Sequence, residues 1–259
     1  TKLLEVLRSS SAASHGSPPF ALLTDLDLSE NSLTEASVSL LAEYVRTPPA
    51  GCKPLERLSI TGTPGMYEAA QPQLSRQKST IVDGQSAEEL ASAVLERSAS
   101  LPLCCRSRSR RSRPPFRPLR AFGPVCVEEL RANTLAELDL HSKGLGPAEG
   151  LVLGGLLKTA STSLTTLVLS YNPIRDVGAR EIAKSLETHA ALATLDLTMC
   201  GLSAEGAACL AAGLETASSN LKTLALSRNE GIGDEGAKVL GRSLRTNRAL
   251  ETLLLSKCG

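Results

Sequence analysis

An α/β solenoid, with short parallel strands lining one face and helices the other, is predicted by three features of this 259-residue chain. It holds 46 leucines but only six aromatic residues and no Trp, the composition of one small aliphatic packing unit used many times. The pattern L-x-x-L-x-L recurs at Leu23-Leu26-Leu28, Leu55-Leu58-Ile60, Leu135-Leu138-Leu140, Leu164-Leu167-Leu169, Leu192-Leu195-Leu197, Leu221-Leu224-Leu226 and Leu250-Leu253-Leu255. From Leu135 onward its starts lie 29, 28, 29 and 29 residues apart, a register that chance does not keep through five units.

The elements follow from this register. Residues 1–19 read as the tail of a preceding repeat helix, Lys2 to Leu7, and a Ser/Ala/Pro-rich linker, 9–19. Residues 20–100 hold N-terminal repeats, interrupted by a Gly/Pro/Gln-containing insertion at 62–80 before a helix-like stretch through Val82, Ala87, Leu90 and Val94. Residues 101–134 read as a degenerate unit opening at Leu101, with a helix from about Val125 to Ala132 and an Arg/Ser-rich insertion at 104–120. Residues 135–259 are regular repeats. There each strand motif is followed by apolar residues at spacings of three and four, as in Gly178, Ala179, Ile182, Ala183 and Leu186, which mark a helix buried along one stripe. Neither strand nor helix buries its apolar face alone, so the units must stack, about seven of them plus a truncated eighth. The chain opens at Thr1, closes in mid-unit at Gly259 and carries no polar capping repeat at either end, so a fragment of a longer protein is expected.

The position after each strand reads Asn31, Asn172, Cys200, Asn229 and Cys258, and the segment LATLDLTMCGLSAEGAACLAAGL carries Cys200 and Cys209. On these residues the chain resembles leucine-rich repeat proteins of the ribonuclease-inhibitor-like class, a group that includes NOD-like receptor sensing domains and Ran GTPase-activating proteins. The resemblance runs through 135–259 and extends to 23–60. It implies a horseshoe-shaped leucine-rich repeat solenoid of 28–29-residue units, in which the Asn and Cys side chains satisfy backbone groups inside each turn. Lys143 and Thr63 depart from that pattern, which puts the ladder in doubt at their repeats.

Composition excludes several function classes. The longest apolar runs, such as Leu151 to Leu157, are too short to span a bilayer. So few rings leave no platform for stacking bases or sugars. Seven cysteines without a C-x-x-C pair, and no N-x-S/T sequon, favour a reducing compartment: cytoplasmic, with the nucleus as an alternative. The formal charge of +1 conceals an asymmetry. Residues 104–120 hold Arg106, Arg108, Arg110, Arg111, Arg113, Arg117 and Arg120, and the remaining 21 basic and 27 acidic residues leave the rest of the chain at −6. That run reads as a charged loop, a basic docking or nuclear-address segment, or a gene-model artefact, and Ser107, Ser109 and Ser112 within it could accept phosphate.

No catalytic constellation emerges, and no cofactor or metal is expected. Gly231-x-Gly233-x-x-Gly236 mimics a dinucleotide-binding turn, but Ser227 to Glu230 separate it from the strand, and the sister repeat at Pro173 to Gly178 lacks two of the glycines. His15, His141 and His189 have no metal-ligand spacing, and His189 falls at a helix end, where an imidazole complements the carbonyl dipole. Cys104 and Cys105, beside Arg106, read as loop thiols.

Function is therefore expected on a surface. In L-x-x-L-x-L the leucines point inward and the intervening residues line the concave face. The candidate protein-binding stripe is Asp25, Asp27, Arg57, Glu137, Asp139, His141, Tyr171, Asp196, Met199, Arg228 and Lys257, extended by Glu30, Ser59, Val168, Ala225 and Leu254. It runs from acidic to basic along the chain. Tyr171, Met199 and Arg228 are the expected anchors, because such side chains are enriched at interface centres. The expected role is a non-catalytic scaffold, sensor or regulator that binds a protein partner. Left open are a Ran-type GTPase-activating protein, a NOD-like receptor sensing domain, and RNA or acidic-partner binding through Arg106, Arg108, Arg110, Arg111 and Arg113. Apart from that basic loop, no nucleic acid is expected as a partner.

Overall fold

The computed structural model describes residues 23–28, 33, 35–48, 53–60, 84–99, 119–159, 163–216 and 220–259. Nine short strands and seven helices alternate through them. The strands are β1 (Asp25–Asp27), β2 (Arg57–Ser59), β3 (Ala121–Phe122), β4 (Val125–Cys126), β5 (Glu137–Asp139), β6 (Thr166–Val168), β7 (Thr194–Asp196), β8 (Thr223–Ala225) and β9 (Thr252–Leu254). The helices are α1 (Glu35–Arg46), α2 (Gly84–Ala99), α3 (Val127–Ala132), α4 (Pro147–Thr159), α5 (Arg175–Leu186), α6 (Ala204–Glu215) and α7 (Gly233–Ser243).

The central leucine of each regular strand sits opposite that of the next, Leu138↔Leu167↔Leu195↔Leu224↔Leu253, in one parallel sheet, β5 to β9. Leu167, Leu195 and Leu224 are fully buried. The helices pack successively behind the strands, and α5 buries the stripe anticipated from its spacing, Gly178, Ala179, Ile182, Ala183 and Leu186.

The turns are held by the Asn/Cys ladder. Asn172 donates from Nδ2 to Leu140 O (2.8 Å) and Leu169 O (2.9 Å), and its Oδ1 accepts from Leu145 N–H (3.0 Å). Asn229 repeats this on Leu197 O and Leu226 O, and accepts from Cys200 and Leu202 N–H. Cys200 and Cys258 use their S–H groups on Leu169 O (3.3 Å) and Leu226 O (3.2 Å). Lys143 at the equivalent position is exposed, and the ladder among the described residues begins with the bond from Asn172 to the Leu140 carbonyl. Asn31 and Thr63 lie outside the described residues.

Two expectations need correction. The strand beside β2 is Ala121–Phe122, in register Arg57↔Ala121 and Leu58↔Phe122 with Leu119 and Phe122 buried, so the strand that follows β2 lies well beyond the expected opening of a unit at Leu101. An aromatic at the second motif position, with no third aliphatic after it, hid this strand. The strand layer is also not continuous. A tight turn brings β4 back antiparallel to β3, which ends one sheet (β1 to β4), and the five-stranded sheet begins afresh at β5. The helical layer bridges the break. Because α3 has only six residues, α2 packs directly on α4. This explains the apolar run at 151–157: every residue of α4 from Pro147 to Leu157 is buried, with α2 on one side and α5 on the other. The glycines of α4 permit the approach. A Cβ on Gly154 would lie 2.6 Å from the Glu181 carbonyl carbon of α5, and one on Gly155 would lie 2.5 Å from Leu95 Cδ1 of α2.

The N-terminal tail and linker, the 62–80 insertion, Ser107, Ser109, Ser112, Cys104, Cys105, His15 and arginines 106, 108, 110, 111, 113 and 117 lie outside the described residues.

Candidate functional site

Because strand residues alternate faces, each strand of the five-stranded sheet offers its first and third residues to the concave side. The rows run Glu137, Thr166, Thr194, Thr223, Thr252 and Asp139, Val168, Asp196, Ala225, Leu254. Glu137 and Asp139 are exposed, while Val168 and Asp196 are half-buried. Ala225, expected on the open face, is buried, and Leu254 on the last strand is 49% exposed. The curved sheet crowds its middle strands and opens its two ends.

Beyond each strand a second pair of rows follows. His141, Ser170, Thr198, Ser227 and Ser256 share one position, and Ser142, Tyr171, Met199, Arg228 and Lys257 the next. His141 thus falls one place before the row that holds Tyr171. The two residues nonetheless meet: His141 Nδ1 lies 2.9 Å from Ser170 Oγ, and its ring sits 5.1 Å from the Tyr171 ring at 60°.

Every member of the last row has a left-handed backbone: φ is 53° at Ser142, 61° at Tyr171, 53° at Met199, 62° at Arg228 and 58° at Lys257. This conformation costs an L-residue other than Gly or Asn about 1 kcal/mol or more. The turn geometry demands it, yet in four of the five repeats the chain places a long or aromatic side chain there. The sequence pattern carries no signal of this strain; it emerges only from the backbone.

The aspartates divide their roles. One oxygen of Asp139 accepts from His141 N–H and one of Asp196 from Thr198 N–H, both at 2.9 Å, so each stabilises its own turn. Asp25, Asp27 and Arg57 belong to the other sheet, where Arg57 Nε pairs with Asp25 Oδ1 at 3.6 Å. They border an open hollow of about 400 Å³ with Arg120, Cys126 and Glu128. The expected single acidic-to-basic stripe is therefore two surfaces, separated where the sheet breaks. Glu30 and the five arginines 106–113 lie outside the described residues.

Several features that suggested chemistry have structural roles. Gly233 N–H donates to Cys258 O (2.8 Å), and a Cβ on Gly231 would meet Leu202 O at 2.9 Å, so the glycine turn is filled by neighbouring backbone. His189 is buried and its Nδ1 accepts from Leu192 N–H (3.2 Å), so that nitrogen does not serve the helix carbonyls as anticipated. Burial pushes the Cys200 thiol up to about 12, leaving it protonated as a donor. No group of three or more His, Cys, Asp or Glu among the described residues is placed to hold a metal. No described helix is long and apolar enough to cross a membrane.

Two structural residues had no sequence signal. Asp176 of α5 accepts from Ser203 N–H (2.8 Å), Gly206 N–H (3.0 Å) and Ser203 Oγ–H (2.7 Å), capping the helix of the next repeat. Glu149 is completely buried in α4. Its Oε2 accepts from Gly146 N–H (3.0 Å), the reciprocal half of a capping box, and its Oε1 has no partner. Burial pushes this carboxyl up to about 7, opposed by the Glu149 and Gly146 backbone N–H groups.

Known proteins share this architecture. A family model described as Leucine Rich repeat matches residues 160–183, 192–211 and 217–241. Pig ribonuclease inhibitor is 36% identical over 139 residues, 53% of this chain and 28% of that protein. Human NACHT, LRR and PYD domains-containing protein 13 is 39% identical over 97 residues, 37% of this chain and 9% of its own length. Human leucine-rich repeat-containing protein 73 is 36% identical over 121 residues, 45% of this chain and 38% of its own. The chain thus spans well under half the length of each of these relatives.

Proposed function

Since this chain is a leucine-rich repeat protein of the ribonuclease-inhibitor-like type, we propose that it is a non-catalytic scaffold that grips a protein partner on the concave face of β5 to β9. The supporting observation is the row Tyr171, Met199, Arg228 and Lys257, four large side chains held at positive φ where Gly or Asn would cost nothing. Tyr171 is 41% exposed and stands beside His141. Aromatic, Met and Arg side chains of this kind are enriched at interface centres, where their large surfaces are removed from water. Asp139, Asp196, Arg228 and Lys257 give the face an acidic-to-basic direction that orients the partner. We place the protein in a reducing compartment, the cytoplasm or nucleus, because Cys200 and Cys258 spend their S–H protons on repeat carbonyls, and a disulfide would remove both donors.

The test is photo-crosslinking in cells that express the protein. A benzophenone side chain at Tyr171 should capture a discrete protein partner, and one at Glu187, on the opposite side of the repeat, should not. The pair Tyr171→Ala and Arg228→Glu should abolish association of that partner while leaving circular dichroism unchanged. Association that survives this pair and disappears when 104–120 is deleted would move the function to the basic segment. Acceleration of GTP hydrolysis by any member of a small-GTPase panel would refute the non-catalytic reading. A second reading, the sensing array of a NOD-like receptor, draws support from the human NACHT, LRR and PYD domains-containing proteins 13 and 5 among the relatives. A complete reading frame that encodes a nucleotide-binding domain would favour it.

A further inference from the structure

We infer that the break in the strand layer is a strand-addition site, and that the exposed edge of β5 takes an extended basic segment of a partner protein. The bonds flanking the β5–β6 pairing, Thr166 N–H to Ala136 O and Leu140 N–H to Val168 O, turn the backbone groups of Ala136, Leu138 and Leu140 toward β6. In a parallel pair the alternate residues face the other way, so Glu137 and Asp139 direct their N–H and C=O groups across the open edge. Among the described residues no strand pairs there, because the preceding sheet ends in β4, which is bound antiparallel to β3. The packing of β5 is that of a terminal strand. Leu138 is half-exposed like Leu253 of β9, whereas the matching Leu167, Leu195 and Leu224 are fully buried.

The side chains state what fits. A strand laid along this edge places every second residue beside Glu137 and Asp139 on the concave face and the intervening one over Leu138. The segment Ala136–Leu140 contains two acids and no base. Alternating Arg or Lys with aliphatic residues is the complementary pattern: cations meet the two carboxylates while main-chain hydrogen bonds supply the pairing. Self-association through this edge is opposed, because a second copy would bring the same carboxylates against these. The site is separate from the Tyr171 and Arg228 anchors, although Glu137 and Asp139 also border the concave face.

Fluorescence anisotropy of the full chain tests it, with a short fluorescein-labelled peptide of alternating arginine and valine as probe. The wild-type protein should bind it. Binding should weaken by about tenfold or more when the peptide amides on its pairing side are N-methylated, which preserves charge and removes donors. It should weaken comparably in Glu137→Gln with Asp139→Asn, and be unchanged in Tyr171→Ala with Arg228→Glu, so failure of the concave reading and of this one are distinguishable. Three results overturn the inference. The wild-type protein gives no binding; or the N-methylated peptide binds equally, which reduces the effect to charge; or binding emerges only after deletion of 104–120, which makes the chain's own basic segment the occupant.

Discussion

Glu149 shows how a single side chain serves the fold at a cost. Its Oε2 closes the first turn of α4 through Gly146 N–H, but its Oε1 is buried without a hydrogen-bond partner. Because burial raises its pKa from 4.5 to about 7, the folded state holds the proton more tightly than the unfolded chain does. Its contribution is most favourable below about pH 4.5, declines as pH rises toward 7, and is constant above that, a difference on the order of 3 kcal/mol. Urea unfolding at about pH 5 and about pH 8 should show wild-type stability falling with pH. Glu149→Gln should remove most of that fall, and an unchanged pH dependence in the variant would rule out this assignment. None of this was legible beforehand. A Glu at the start of a helix reads as an exposed capping residue, whereas Glu149 is completely buried. The Asn/Cys positions, by contrast, were legible as a repeat. Asn172, Cys200, Asn229 and Cys258 each bond a carbonyl of the repeat before, which only a buried turn position of fixed register can do.

Among the elements, α4 is the one whose surroundings the local pattern did not reveal. An amphipathic stripe announces α5 and α7, which keep one face in water, but α4 is buried all round from Pro147 to Leu157 because helices from two different units cover it. Its Gly154 sets the distance to α5. Gly154→Ala forces a methyl against the Glu181 carbonyl, and the backbone must yield, since no side chain there is able to turn aside. The expected loss is about 1–3 kcal/mol in urea unfolding, with the strands β5 to β9 still formed. An unaffected midpoint would mean that α4 and α5 do not touch as described. The hairpin β3–β4 was missed for a related reason. Two-residue strands built from Ala121, Phe122, Val125 and Cys126 carry too few residues for an alternating pattern, and tertiary pairing with β2 decides their conformation.

At the scale of the whole molecule, the repeat register predicted the solenoid but not its interruption. Periodicity reports the spacing of apolar residues, and Leu135, Leu138 and Leu140 keep that spacing although Leu135 and Leu138 stay partly exposed at the break. The break has two consequences: it divides the expected charge stripe into a β1–β4 surface and a β5–β9 surface, and it leaves a strand edge flanked by acids. The three anchors expected from sequence, Tyr171, Met199 and Arg228, follow one another on the second surface, and what the backbone added is the strain under each of them and under Lys257. The most direct test of concave-face binding is hydrogen–deuterium exchange on the full chain, free and saturated with the protein captured at Tyr171. Protection should concentrate in the strand-and-turn segments 166–171, 194–199, 223–228 and 252–257. Protection confined to α5, α6 and α7, with those segments unchanged, would contradict it.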